Sequence, residues 1–239
     1  MFELRKAQDR GISNQGWLKS QHTFSFAHYY DPKQVGFSDL LVINDDRVAA
    51  NQGFGSHPHH NMEIFSYVLD GKLAHRDSMG NGSVIQPGDV QLMGAGTGVL
   101  HSEMNPQTDH EVHFLQIWIV PARKGSKPNY QQVHFSHEDK RGKLRLIISP
   151  NGEDNSLLIN QDIHVYAGLF NDNEKATLKL ADNRYAYVHL ATGELSLNGI
   201  ELHAGDGVRV RHEQVLNFTA GKNAEVLVFD MRPSELPEM

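Results

Sequence analysis

Short apolar stretches, cut at regular intervals by glycine turns, constrain this chain more than any other feature. Ile64 to Leu69 is closed by Asp70-Gly71. Lys72 to Asp77, Ser83 to Gln86 and Val90 to Met93 follow, separated by Met79-Gly80-Asn81-Gly82 and Pro87-Gly88-Asp89. Runs this short, evenly spaced and bounded by turn residues, predict an all-β barrel or sandwich. Asp70-Gly71 reads as a hairpin signal. Phe37 to Asn44 is a further strand, bounded by Gly36 and Asp45-Asp46, and His113 to Val120 a longer, strongly apolar one. Side chains alternate along a strand, so Phe114, Gln116 and Trp118 share one face, while His113, Leu115, Ile117 and Ile119 share the other. Upstream, Phe24 and Phe26 are expected to pack inward from one face of a short strand, with His22 a hydrogen-bonded structural histidine.

A chain of 239 residues has room for one large or two small domains. Pro121 to Pro128 is basic and poor in apolar residues, and reads as a flexible linker. Strands resume at Leu144 to Ile148, Ile163 to Phe170, Ala176 to Leu180 and Tyr185 to Leu190. A faint repeat joins the halves: Thr192-Gly193-Glu194-Leu195 echoes Asp70-Gly71-Lys72-Leu73, and Ala204-Gly205-Asp206 echoes Pro87-Gly88-Asp89, at offsets of 122 and 117 residues. Repetition of one β unit implies two barrels of like fold. The expected domains are residues 1–130 and 131–239.

The chemistry concentrates between Gly53 and Asn105. His57 and His59 lie two apart, as do His101 and Glu103, so each pair projects from one face of an extended strand. Facing each other, they make three imidazoles and one carboxylate, a donor set that divalent transition metals accept. Pro58 points away and donates no backbone hydrogen bond, which suits an edge or irregular strand. The second half has no His-x-His before Gly193 and no His-x-Glu after Gly205, so one metal per chain is expected, in the first domain. Four protein ligands leave two octahedral positions open. That openness suits Fe(II), Mn, Co or Ni better than a closed tetrahedral structural zinc; Fe(II) is the expected ion, with Mn, Co, Ni or Zn possible.

A net charge of −7 argues against direct nucleic-acid binding, which needs a basic surface. The absence of cysteine removes disulfides and thiolate chemistry. Met1-Phe2-Glu3-Leu4-Arg5-Lys6 lacks the apolar run of a signal peptide, and no stretch approaches the length of a transmembrane helix. A cytoplasmic location without membrane contact is expected.

His57-x-His59-x3-Glu63 followed by Gly71 resembles the first motif of the cupin superfamily. Gly98-x-x-His101-x3-Asn105 resembles the second, with Gly96 where those proteins usually carry Pro. More narrowly, the chain resembles the pirin family, and within it the bacterial pirin-like quercetinases. The shared words include His22-Thr23-Phe24-Ser25-Phe26, Val42-Ile43-Asn44-Asp45-Asp46, His57-Pro58-His59, Met62-Glu63-Ile64, Asp77-Ser78-Met79-Gly80-Asn81, His101-Ser102-Glu103 and Gln116-Ile117-Trp118. Together with Tyr30-Asp31-Pro32, Gly53-Phe54-Gly55 and Ala95-Gly96-Thr97-Gly98, they span almost all of the first 120 residues in order. Past about Pro121 only general family character remains.

The resemblance implies a bicupin of two jelly-roll-like β-barrels (double-stranded β-helices), only the first carrying metal. In many cupins the carboxylate ligand is the Glu of the first motif, here Glu63. In pirins it is the Glu two residues after the third histidine, here Glu103. Strand parity favours Glu103, leaving Glu63 to support a ligand imidazole. The activity implied is a flavonol 2,3-dioxygenase, with a small aromatic substrate and O2 as partners. Glu103, if it can leave the metal, is then the catalytic group that takes the substrate's proton, with Glu63 as fallback. Two other readings remain open. One is a metal-binding regulator acting through an unidentified protein partner, as a transcription cofactor or metabolic-enzyme modulator. The other is a non-catalytic ligand-binding cupin.

Overall fold

The computed structural model describes residues 1–237, and almost all of its regular structure is β. The first twelve strands are β1 (Phe2–Arg5), β2 (Gly11–Asn14), β3 (Leu18–His22), β4 (Leu40–Val48), β5 (Gly53–His59), β6 (Glu63–Asp70), β7 (Leu73–Asp77), β8 (Gly82–Ile85), β9 (Asp89–Gly94), β10 (Val99–Met104), β11 (Val112–Ile119) and β12 (Asn129–His134). A single-turn helix, α1 (His137–Lys140), precedes the rest: β13 (Leu144–Ser149), β14 (Leu157–Leu158), β15 (Ile163–Phe170), β16 (Ala176–Lys179), β17 (Tyr185–Leu197), β18 (Ile200–His203), β19 (Gly207–Val210) and β20 (Val215–Met231). No helix among the described residues is long and apolar enough to cross a membrane.

The chain forms two compact units. One comprises Gly11–His134 with Ile159–Gln161 and Pro237, the other Met1–Arg10, Phe135–Leu158 and Asp162–Leu236. This division differs from a single cut at residue 130 because strand pairing is not local. β1 pairs with β19, and β12 pairs with β9. The basic stretch after Pro121 is a loop of the first unit: Thr97 N–H donates to Ser126 O, and Gly125 N–H to Asn61 Oδ1.

The first unit has a seven-stranded sheet, ordered β12-β9-β6-β11-β4-β3-β2, and a four-stranded sheet, ordered β5-β10-β7-β8. From β4 to β11 every connection except β7–β8 changes sheet, the habit of a jelly roll. Asp70-Gly71 is therefore no hairpin. Its left-handed glycine, at φ +80°, turns the chain out of β6 in one sheet into β7 in the other. A second glycine is fixed by crowding. A Cβ on Gly53 would sit 2.2 Å from the carbonyl of Glu103, so only glycine lets β5 approach β10 there. β5, with Pro58, is the edge strand of its sheet.

The second unit is one nine-stranded sheet in which β17 and β20 are long and change register repeatedly. Val188, Leu190, Leu195, Phe218, Val226 and Val228 belong to one buried apolar cluster. The faint repeat is visible as geometry. Asp89 Oδ2 accepts from Gln86 N–H at 3.0 Å, and Asp206 Oδ2 accepts from His203 N–H at 3.1 Å. The glycine before each aspartate is left-handed, Gly88 at φ +97° and Gly205 at φ +85°.

Candidate metal centre

β5 and β10 pair antiparallel with His101 directly opposite His57 and Val99 opposite His59. That register brings the three rings together, with centroids 4.4 Å apart for His57–His101 and 4.9 Å for each of the other pairs. One ring nitrogen from each lies within 4.8 Å of the others, the one such cluster able to hold a metal among the described residues. His57 Nδ1 lies 2.7 Å from the carbonyl of Gly55. A carbonyl only accepts, so Nδ1 carries a proton and Nε2 is the nitrogen left for a metal. His101 is 2 % exposed, and neither of its ring nitrogens has a hydrogen-bond partner. A buried imidazole without partners is costly in an empty site and satisfied by a cation. The donors present fit a divalent transition metal.

The electrostatics keep two of these imidazoles ready for a metal. Burial, then the neighbouring imidazoles of His57 and His60, pushes His59 down to about 4. Burial, then His57, His59 and His75, pushes His101 down to about 3, against the opposing pull of Asp77. Both rings therefore stay neutral at physiological pH, the form that binds metal.

Glu103 lines the same cavity as His57 and His59 but is not a member of the 4.8 Å cluster. A bulge between His101 and Glu103 sets Glu103 opposite Phe54. Both carboxylate oxygens are engaged: Ser66 Oγ lies 3.0 Å from Oε1, and Gln116 Nε2 donates to Oε2 at 2.6 Å. Burial raises its pKa, opposed by the Ser66 and Gln116 hydrogen bonds and by His75 and His57. Glu63 lies elsewhere. It is three residues from Ser66 on β6 and so faces the opposite side of the sheet, where it accepts from the Asn160 backbone and burial lifts it to about 7. It touches no ligand imidazole. The backbone carbonyl of Gly55 performs that service for His57.

His57 and His59 line a cavity of about 260 Å³, together with Phe26, Phe54 and Trp118 and with the polar residues Ser20, His22, Asn44, Asp46 and Gln116. Trp118 meets His59 and Phe26 edge-on, with centroids 4.9 and 5.4 Å away. The alternation along His113–Ile119 foretold that Gln116 and Trp118 share a face. It did not foretell Phe26, which lines the cavity while Phe24 is core. The chain leaves β3 at His22, so the two rings are not on one strand face. His22 bonds Asn44 Oδ1 at 2.7 Å, yet it too lines the cavity. Sequence reasoning also missed His75, set opposite Glu103 on β7. His75 Nε2 bonds Asp77 at 3.0 Å, and its ring lies 5.4 Å from that of His101.

Residues 3–119 match the family model Pirin, and residues 146–231 match the model described as Quercetinase C-terminal cupin domain. Quercetin 2,3-dioxygenase of Escherichia coli K12 is 44 % identical over 233 residues, covering 98 % of this chain and 100 % of that protein. The crystal structure of YhhW from Escherichia coli superposes with a TM-score of 0.94 at 43 % identity, over 98 % of this chain and 99 % of that one. The structure described as bacterial pirin YhhW in complex with nickel(II) gives 0.93 at the same identity, over 98 % and 100 %. Two successive family models, matched in order, and a relative this similar along its whole length have one consequence: the chain belongs to the pirin family.

Proposed function

We propose that this protein is a metal-dependent dioxygenase of the pirin-like quercetinase type, cleaving the central ring of a flavonol such as quercetin with O2. The observation that carries this reading is a triad of imidazoles, two of which line a cavity with aromatic walls. Escherichia coli relatives supply the activity by name and a nickel-bound counterpart. His57, His59 and His101 hold one divalent ion per chain, and Glu103 is the fourth ligand, its carboxylate kept in place by Ser66 and Gln116. Fe(II) is the ion we assign, because nitrogen and oxygen donors with open positions suit it. When bound, the ion supplies a Lewis-acid site that stabilises the deprotonated 3-hydroxyl oxygen of the substrate. Phe26, Phe54 and Trp118 give a flat aromatic ligand apolar faces to lie against, and their bulk keeps water from the reacting ring.

Anaerobic purification, metal analysis and turnover with several metals test this reading. Oxygen uptake matched by carbon monoxide release is the expected result. A protein that binds flavonol and metal but consumes no oxygen would be a regulator or passive binder instead.

A further inference from the structure

Asp46 is a buried carboxyl on the wall of the same cavity, and the ligand set leaves it without a task. On β4 its cross-strand neighbours are Ser20 of β3 and Phe114 of β11. It is 3 % exposed, and its Oδ1 has no hydrogen-bond partner. A buried oxygen without a partner is destabilising, and Asp46 lines the cavity that His57, His59 and Trp118 also line. Neither glutamate is available in the same way. Glu103 is already assigned to the metal, with Gln116 Nε2 donating to it, and Glu63 faces the other side of its sheet.

Resting on the flavonol dioxygenase reading above, we propose that Asp46 accepts the proton that the substrate's 3-hydroxyl must lose. The substrate O–H bond breaks, its electron pair stays on the substrate oxygen, and a new O–H bond forms on the Asp46 carboxylate. Glu103 is then free to remain a ligand throughout. The groups around Asp46 agree with this division. Ser20 flanks it on β3, Phe114 on β11 and Asp45 in the chain, and His22, His57, His59 and Glu103 share its cavity. Burial, opposed by the Ser20 hydrogen bond and assisted by Asp45 and Glu103, pushes it up to about 7.

The test binds quercetin anaerobically to the metal-loaded protein and reads the absorption of the bound flavonol, which distinguishes neutral from ionised forms. Wild type should hold the anion at neutral pH. Asp46→Asn should bind quercetin with similar affinity but hold it neutral, its ionisation midpoint displaced upward by about one pH unit or more. Its kcat should fall by roughly 10²–10⁴, the usual contribution of a positioned base, with little change in KM, and Asp46→Glu should recover part of it. An anion with the wild-type midpoint, and kcat within about threefold, in Asp46→Asn would overturn the assignment. If Asp46→Asn does not fold, Ser20→Ala reads the same group. Losing the hydrogen bond that holds Asp46 down should move the acid limb of kcat/KM upward, and an unmoved limb would overturn the proposal. A wild-type protein that binds no flavonol would instead overturn the dioxygenase reading, and this inference with it.

Discussion

Each unit has an antiparallel pair at the matching point of the sequence repeat, β5 with β10 in one and β16 with the first part of β20 in the other. In the first unit the inward positions of that pair are His57, His59, His101 and Glu103. In the second, Ala176, Leu178, Leu216 and Phe218 pack into the apolar cluster. One architecture has thus been filled in two ways. The apolar filling contributes about 25 cal/mol per Å² removed from water and needs no ion. The polar filling leaves buried nitrogens that only a cation or water satisfies. The pair that gathers histidines in the first unit is matched in the second by a pair that gathers core residues.

The largest effect that could break this comparison is loss of a ligand. His101→Ala should weaken metal binding by more than the roughly 100-fold that outer hydrogen-bond partners are worth, and turnover should fall to background. The metal-free variant should still melt near the metal-free wild type, because the core is apolar. Metal titration and calorimetry check both. A variant that unfolds without metal would mean that the first unit depends on the ion after all.

In the second unit the currency is stability. Leu190→Ala empties a fully buried position and should cost about 2–5 kcal/mol in denaturant unfolding. Metal stoichiometry of the folded protein should stay at one ion per chain. Two tightly held equivalents after dialysis, in wild type or variant, would contradict the assignment of metal to the first unit alone.

The two glutamates sharpen the contrast within the first unit. An acid whose pKa rises on folding stabilises fully below its unfolded value, and that contribution is lost as pH climbs through its folded one. Glu63 rises from 4.5 to about 7. Between those values metal-free wild type should lose on the order of 3 kcal/mol relative to Glu63→Gln. His59 and His101 act oppositely, losing stability as pH falls below 6.5, so only the difference between wild type and variant isolates Glu63. Metal affinity of Glu63→Gln should stay close to wild type, whereas Glu103→Gln should lose affinity and turnover together. The reverse outcome would restore Glu63 as the ligand.

The smallest effect concerns support of Glu103, the carboxylate proposed as fourth ligand. Gln116→Leu removes the donor to Glu103 Oε2 and should lower metal affinity by roughly 10- to 100-fold, with the fold intact. An unchanged affinity would mean that Glu103 does not need Gln116 to hold its orientation.

Local rules carried much of this by themselves. Two-residue periodicity put His57 with His59, His101 with Glu103, and Gln116 with Trp118, because alternation along a strand depends on nothing beyond the strand. Glycine punctuation marked the turns, and the repeat around Gly88-Asp89 and Gly205-Asp206 survives as the same hydrogen bond. Register and sheet membership were another matter, since they are set by partners distant in the chain. The sequence cannot say that Asp70-Gly71 crosses between sheets, that β1 pairs with β19, or that His101 lies opposite His57. Nor can it say that Glu63 faces away from the site or that Asp46 reaches the cavity from β4. The chain determined which side chains share a strand face, and the tertiary structure alone decided which faces meet, because cross-strand pairing joins residues that no local spacing relates.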